Sequence, residues 1–233
     1  MLDLSPFPTH RRGFLGRVAA GAAALGLSGL VAPLSAAAAQ PRASGDASSN
    51  PDFEKWLDGI TGKHRQVVDA TSTRENFPLT MTFVWLMTQR ETYGIEDADL
   101  SAVLVMRHSA IAMALSDDVW AKYKLGEHFN IADPATKAPA LRNPFAHVRE
   151  GELQPFPDMA VEKLLARGVK LGACNVALTL NSARAAQRLG LAKDDAKKEW
   201  VAGLLPGVVV VPSGVLAVSR AQEHGCTYCS AAL

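Results

Sequence analysis

Short apolar runs alternate with segments of helical spacing along most of the chain. The pattern predicts strands at residues 66–70, 102–106, 169–173 and 208–211, and an edge strand at 227–231. Apolar residues spaced three and four apart predict helices at 79–89, 111–115, 117–123, 159–166, 177–188, 197–205 and 215–224. Strands that alternate with helices are typical of βαβ units. The pattern therefore predicts a single doubly wound α/β domain, with a mostly parallel sheet of four to five strands and helices on both faces.

The N-terminal residues carry a different pattern. Arg11 and Arg12 precede an apolar run at residues 18–31 that is rich in Ala and Gly, and a small-residue cleavage site follows after Ala39. The run is too short for a membrane span, which needs about 20 strongly apolar residues. A charged start, an apolar stretch and a small-residue site are the parts of a removable signal, and paired arginines select the route for folded cargo. We therefore expect residues 1–39 to be a twin-arginine signal peptide that engages the twin-arginine translocase. The mature protein would then be periplasmic or otherwise extracytoplasmic.

The rest of the chain divides into a linker and one domain. Residues 40–52 contain small, polar and proline residues and are predicted to be a flexible linker, and residues 53–233 form the predicted domain. Within it, residues 130–157 carry five prolines and are predicted to be a long surface insertion. Removing the signal leaves 21 of the 24 basic residues and 22 of the 23 acidic ones. This balance argues against a nucleic-acid partner or an anionic membrane surface, because both require a basic excess.

Polar residues follow several of the predicted strands. In doubly wound sheets, ligands bind at the carboxyl ends of the strands. That rule selects three junctions, at residues 106–109, 172–175 and 211–214. The first contains Arg107, His108 and Ser109, and the second contains Cys174.

These junctions, in this order and spacing, resemble the DsrE/DsrF-like family. The resemblance extends over residues 63–229 and rests on a His-containing turn, a strand ending in Cys-Asn, a Val-Pro-x-Gly-Val turn and an Arg-Ala-Gln-Glu-His-Gly helix. It implies a DsrE-like domain with the YchN-like fold, assembly into a homo-oligomer, and a role in sulfur relay. It also implies that Cys174 accepts sulfur as a persulfide. The export signal and Cys226-Thr227-Tyr228-Cys229 depart from the family pattern.

The residues themselves leave the role of each group open. A thiol at a helix N-terminus is favoured in its thiolate form by unpaired N–H groups and the helix dipole, so Cys174 is a candidate nucleophile. Its alternative role is that of a small buried apolar side chain. His108 can transfer a proton or cap the following helix. Arg107 and Ser109 are candidate anion ligands, and Arg107 is the better one because its charge does not depend on pH.

Cys226 and Cys229 form a second candidate constellation. They can close a disulfide or act as a redox pair, they can be inert, or they can join Cys174 and His224 around zinc. Oxidation is the default for close thiols outside the cytoplasm. Ser230 follows Cys229 where c-type haem attachment requires His. We predict no metal and no cofactor.

Two functions from different classes follow. The first is an exported protein for thiol-based sulfur handling or redox relay, with Cys174 as acceptor, His108 beside it and an unknown sulfur or redox partner protein. The second is a non-catalytic extracytoplasmic protein that binds a small molecule or a metal and has structural cysteines. An accessible Cys174 facing His108 favours the first function, and a packed Cys174 favours the second.

Overall fold

The computed structural model describes residues 50–147, 149, 152 and 157–232. The strands in this part of the chain are β1 (His64–Ala70), β2 (Leu100–Met106), β3 (Lys170–Cys174), β4 (Val208–Val211) and β5 (Thr227–Ser230). They form one five-stranded sheet in the order β4-β3-β2-β1-β5, and every neighbouring pair is parallel. The predicted α/β fold with a mostly parallel sheet is confirmed, and Met106, Ala173 and Val211 all lie in the sheet as expected.

The central strands are buried on both faces. All seven residues of β2 are buried. Neighbouring residues of β1 point to opposite sides, so that Val67 belongs to one core cluster and Val68 to the other. This two-sided burial explains why the strands appear in the sequence as continuous apolar runs instead of alternating ones.

Helices connect the strands. The α-helices of the described residues are α1 (Pro51–Asp58), α2 (Phe77–Tyr93), α3 (Asp117–Tyr123), α4 (Leu125–Phe129), α5 (Val161–Ala166), α6 (Asn175–Leu189), α7 (Lys193–Ala202) and α8 (Gly214–Glu223). Short 3₁₀ segments lie at Arg74–Asn76, Asp97–Asp99, His108–Ala114 and Pro157–Met159. The sheet is therefore doubly wound, because α1 and α8 pack on one face and α2 and α6 pack on the other. Trp56 of α1 and Val105 of β2 share the first core cluster. Leu79 of α2, Leu178 of α6 and Leu104 of β2 share the second.

Helix α1 begins inside the range that the sequence predicted to be a linker. The side chain of Asn50 caps it by accepting the backbone N–H of Phe53 at 3.2 Å, and Pro51 occupies the first helical turn. Both features are helix-start signals that apolar spacing does not reveal. The predicted signal peptide at 1–39 and the linker up to residue 49 lie outside the described residues.

Two predicted helices extend beyond the C-terminal ends of the observed segments for a common reason. The segment predicted as a helix at 111–115 is the 3₁₀ segment His108–Ala114, which is buried from Ala110 onward. The helix predicted at 197–205 spans Lys193–Ala202. Leu204, just beyond its end, pairs with Leu115 in an isolated antiparallel bridge. This contact takes both residues out of helical geometry.

Buried ion pairs fix the proline-rich insertion predicted at 130–157. Its described residues up to 147 contain no helix or strand. Arg142, whose side chain is 13% exposed, ion-pairs with Asp133 at 3.0 Å and also with Glu152. These charges, largely removed from water, tie the insertion to itself. Ala140 and Phe145 pack in the core, so the predicted surface insertion is partly buried.

Candidate functional site

The carboxyl ends of β1, β2 and β3 bring predicted site residues to one edge of the sheet. The register pairs Ala70 with Met106, and Met106 with Ala173. Arg107 and Cys174 come next on their strands and therefore lie at the same level of neighbouring strands. This is the edge at which doubly wound sheets place their ligands.

A partly buried ion pair lies at the centre of this edge. Arg107 donates to the carboxylate of Asp69 through Nε at 2.6 Å and Nη2 at 2.8 Å. The hydroxyl of Tyr228, on β5, donates to the same carboxylate at 3.1 Å. Two parallel charge-assisted bonds fix the plane of the guanidinium. Neither Asp69 nor Tyr228 was predicted to belong to the site, although a single Asp in the apolar run of residues 67–70 indicates a buried carboxylate that needs a partner.

The stem of Arg107 is fixed as well. It packs against Gly214 at the start of α8, where a Cβ atom would lie 2.7 Å from the Cβ of Arg107. The hydrogen bond to Asp69 raises the pKa of Arg107, burial acts in the opposite direction, and the nearby Tyr228 and Cys174 contribute smaller increases. The described hydrogen bonds use the N–H of Nε and one N–H of Nη2, so both N–H groups of Nη1 and the second N–H of Nη2 are left for the predicted anion.

Cys174 ends β3 and caps α6. Its Sγ accepts the backbone N–H of Ala177 at 3.4 Å, which places the sulfur at the positive end of a 15-residue helix. The residue is 5% exposed and packs within the core cluster of the α2 and α6 face. The predicted position at a strand-to-helix junction is correct, and the side chain is largely covered.

His108 lies in the turn after β2 in a left-handed backbone conformation, with φ of 52°. Such a conformation is uncommon for residues other than Gly, and it persists only where surrounding contacts hold it. The holding contact here is Asn181 of α6, whose amide Nδ2 donates to the carbonyl of His108 at 3.2 Å and to that of Ala177 at 2.9 Å. The ring of His108 is exposed and lies 3.4 Å from the hydroxyl of Ser109. The described hydrogen bonds do not join His108 to Cys174.

Ser109 connects two of the strand ends. Its hydroxyl donates to the carbonyl of Thr71 at 3.1 Å, and its backbone N–H donates to the same carbonyl at 3.2 Å. The residue thereby ties the turn after β2 to the end of β1. Both its hydroxyl proton and its backbone N–H are committed to this carbonyl, so in this geometry Ser109 has no donor left for the predicted anion.

Asn181 and His128 are further residues of this region that the sequence analysis missed. Asn181 is 9% exposed and hydrogen-bonds the side chain of His128 behind the site. Burial lowers the pKa of His128, the charges of Arg188 and Arg184 lower it further, and the hydrogen bond to Asn181 opposes them. The signal for Asn181 was a polar residue on the buried stripe of a helix.

The structure does not bring Cys226 and Cys229 together. Cys226 packs in the cluster on the α1 and α8 face, whereas Cys229 packs against the cluster on the other face, and both thiols are free. Burial raises the pKa of Cys226 to about 11, with Arg65 acting in the opposite direction, and burial also raises the pKa of Cys229. A disulfide between them would require β5 to leave its register.

Neither a metal cluster nor a membrane span is found in the described part of the chain. No three His, Cys, Asp or Glu side chains there converge to hold a metal ion, so Cys174, His224, Cys226 and Cys229 do not form the tetrahedral set considered above. No helix among the described residues is long and apolar enough to cross a bilayer.

Comparison of the chain with protein-family models, with curated proteins and with solved structures yields no match. The resemblance to the DsrE/DsrF-like family therefore stays a prediction.

Proposed function

We propose that this chain is an exported thiol protein that handles sulfur or relays redox equivalents through Cys174. One observation carries the proposal: the sulfur of Cys174 caps α6 at the carboxyl edge of the sheet, where it accepts the N–H of Ala177 at 3.4 Å. Arg107, which follows β2 on the neighbouring strand, holds its guanidinium at the same edge, paired with the carboxylate of Asp69. The first N–H groups of a helix stabilise negative charge that develops on a sulfur atom during reaction.

The proposed chemistry is transfer of one sulfur atom. The thiolate of Cys174 attacks the outer sulfur of a donor persulfide, R–S–SH. A new S–S bond forms on Cys174, the S–S bond of the donor breaks, and the donor leaves as the thiolate R–S⁻. The proton stays on the transferred sulfur, and no external oxidant or reductant is consumed.

Cys174 is packed and has no described hydrogen bond to His108, which is the arrangement that favours the second function stated above. At 5% exposure among apolar side chains, this thiol has the setting of a structural cysteine. The carboxyl edge would then hold a small ligand without any chemistry at sulfur, and Arg107 and the exposed ring of His108 would contact that ligand.

Alkylation kinetics separate the two functions. In a Cys226→Ser/Cys229→Ser background, the iodoacetamide reaction rate of Cys174 is measured by mass spectrometry in the fold and in denaturant at the same pH. A faster rate in the fold supports the acceptor role, because only the folded chain places the sulfur at the start of α6. A slower rate assigns Cys174 to the core and selects the second function.

A direct test of transfer uses a small-molecule persulfide as donor. The protein with Cys174 as its only cysteine is expected to gain the mass of one sulfur atom and to lose it again on reduction. Cys174→Ser in the same background is the matched control and should gain nothing. Equal gains in both proteins would contradict the assignment.

We also propose that the protein acts as a homo-oligomer through the helix starts beside the site. Val176 and Leu180 lie on the first two turns of α6 and are 49% and 50% exposed, and Val215 and Leu216 lie on the first turn of α8 and are 70% and 43% exposed. Exposed aliphatic residues grouped in this way mark interaction surfaces. Sedimentation should show an oligomer that Leu180→Glu dissociates, whereas Leu191→Glu, 40% exposed and just beyond the other end of α6, should not. A monomeric wild-type protein would refute this assembly.

A further inference from the structure

The amino-terminal edge of the sheet carries a concave surface, at the opposite end of β3 from Cys174. It is a cleft of about 610 Å³ between the start of α1 and the starts of β3 and β4. Lys55 and Trp56 of α1, Lys170 of β3 and the valines of β4 line it. None of the residues of the carboxyl-edge site takes part, so the cleft is a separate feature of the fold.

Lys170 is the first unusual group in this cleft. Its charged end packs against Gly59 at the end of α1, where an added Cβ atom would collide with Nζ and lie 2.7 Å from Cε of Lys170. Its ammonium forms no ion pair with any carboxylate of the described residues within 4.0 Å. Burial lowers the pKa of Lys170, and no neighbouring acid counteracts this effect. An ammonium that is partly removed from water without a counterion is costly, and an anion in the cleft would offset that cost.

Trp56 is the second unusual group. It is 5% exposed, stacks on Phe53 at 5.9 Å, and its ring edge reaches Gly172, where a Cβ atom would lie 3.1 Å from Cζ2. Its indole Nε1 is buried and has no hydrogen-bond partner among the described residues. Buried N–H groups nearly always have an acceptor. Since Trp56 lines the cleft, the cleft adjoins both a cation without a carboxylate partner and a buried N–H group without an acceptor among the described residues.

We propose that this cleft binds a small organic monoanion, a carboxylate with a short aliphatic chain. The carboxylate would accept hydrogen bonds from the ammonium of Lys170 and the indole N–H of Trp56. The aliphatic chain would lie along the partly exposed valines of β4 that line the cleft, Val208, Val209 and Val210. Asp52 also lines the cleft, together with Lys55, so the three charged groups Asp52, Lys55 and Lys170 sum to one positive charge. That balance favours a single negative charge on the ligand. The proposal does not depend on any role of Cys174.

The test follows the indole N–H resonances of the full chain, labelled with ¹⁵N at its four tryptophans. The probes are hexanoate and, as its uncharged counterpart, hexanol. Hexanoate is expected to shift the Trp56 resonance saturably, and hexanol is not. Trp200 provides an internal control, because its Nε1 is also buried and unpartnered but the residue does not line the cleft. Trp56→Phe assigns the resonance, and the three remaining signals report whether that variant is folded.

Lys170→Gln should weaken hexanoate binding about tenfold, as expected for the loss of one hydrogen bond to a charged group. Lys193→Gln removes an exposed lysine at the start of α7 and should leave binding unchanged. Since Lys170 also lies beside the end of α1, Lys170→Gln can lower stability, and the comparison of hexanoate with hexanol in the unaltered protein avoids this complication. A Trp56 resonance that does not move with hexanoate, or that moves equally with hexanol, would overturn the proposal. Unchanged binding in Lys170→Gln would overturn it as well.

Discussion

The ion pair between Asp69 and Arg107 permits a quantitative prediction. Asp69→Asn preserves the shape of the side chain but places an amide where a carboxylate accepts two guanidinium N–H groups at 2.6 and 2.8 Å. Removing one partner of a buried pair costs about 3–5 kcal/mol, because the other charge is left uncompensated. The Asp69 side chain is 8% exposed, but that of Arg107 is 32% exposed and recovers part of its hydration. We therefore expect Asp69→Asn to lower the free energy of unfolding by about 2–3 kcal/mol.

Urea unfolding at neutral pH measures this loss, provided that the slope with denaturant is unchanged. The matched control is Asp99→Asn, which removes a pair with Lys63 at 3.1 Å whose side chains are 46% and 75% exposed. Exposed pairs contribute about 0–1 kcal/mol, so the control should cost little. Tyr228→Phe should cost about 1 kcal/mol in the wild type and nearly nothing in Asp69→Asn, because its acceptor has been altered. If Asp69→Asn lowers the free energy of unfolding no more than Asp99→Asn does, the pair between Asp69 and Arg107 does not stabilise the fold.

Three further predictions concern other parts of the chain. Gly62→Ala should lower the free energy of unfolding by about 3 kcal/mol or abolish folding, because a Cβ atom would lie 2.5 and 2.6 Å from backbone atoms of β2. Gly190→Ala, with φ of 69° and open space around it, should lower it by about 1 kcal/mol in the same thermal or urea unfolding assay. Because burial raises the pKa of Cys226 from 9.0 to about 11, its contribution to stability is full below pH 9 and should decrease by about 2–3 kcal/mol as the pH rises to 11. The difference in unfolding free energy between wild type and Cys226→Ala across this range isolates the effect, and a constant difference would contradict it. Replacing Arg11 and Arg12 together by Lys should block export and leave precursor in the cytoplasm, and normal appearance of the mature form outside would disprove the twin-arginine assignment.

The fold was largely predictable from the sequence because burial on both faces gives strands a distinctive pattern. The apolar runs at residues 102–106 and 208–211 have no polar interruption, and both are strands. Helix α1 was not predicted because it is eight residues long and only Phe53, Trp56 and Leu57 are buried, which is too few to establish a helical period.

The site was predictable in position but not in connectivity. The strand-end rule located Arg107 and Cys174, since it depends only on where each strand stops. The partners of Arg107 depend on strand order, which places Tyr228 beside Asp69 although 159 positions separate them along the chain. The separation of Cys226 and Cys229 could have been predicted, because residues three apart along an extended strand face opposite sides of the sheet.

The pairing of β1 with β5 has a consequence for how the protein folds. Strand β1 is paired on one side with β2 and on the other side with β5. The hydroxyl of Thr227 on β5 donates to the carbonyl of Arg65 on β1, 162 positions earlier in the chain. Contacts of such long range are slow to form, because the loop that they close must be ordered first. On the ribosome, β1 to β4 can assemble while the outer edge of β1 is still open, and that edge is a template for pairing with another nascent chain until residues 227–230 emerge. Variants that weaken β5 should therefore aggregate during synthesis more than their equilibrium stability would indicate.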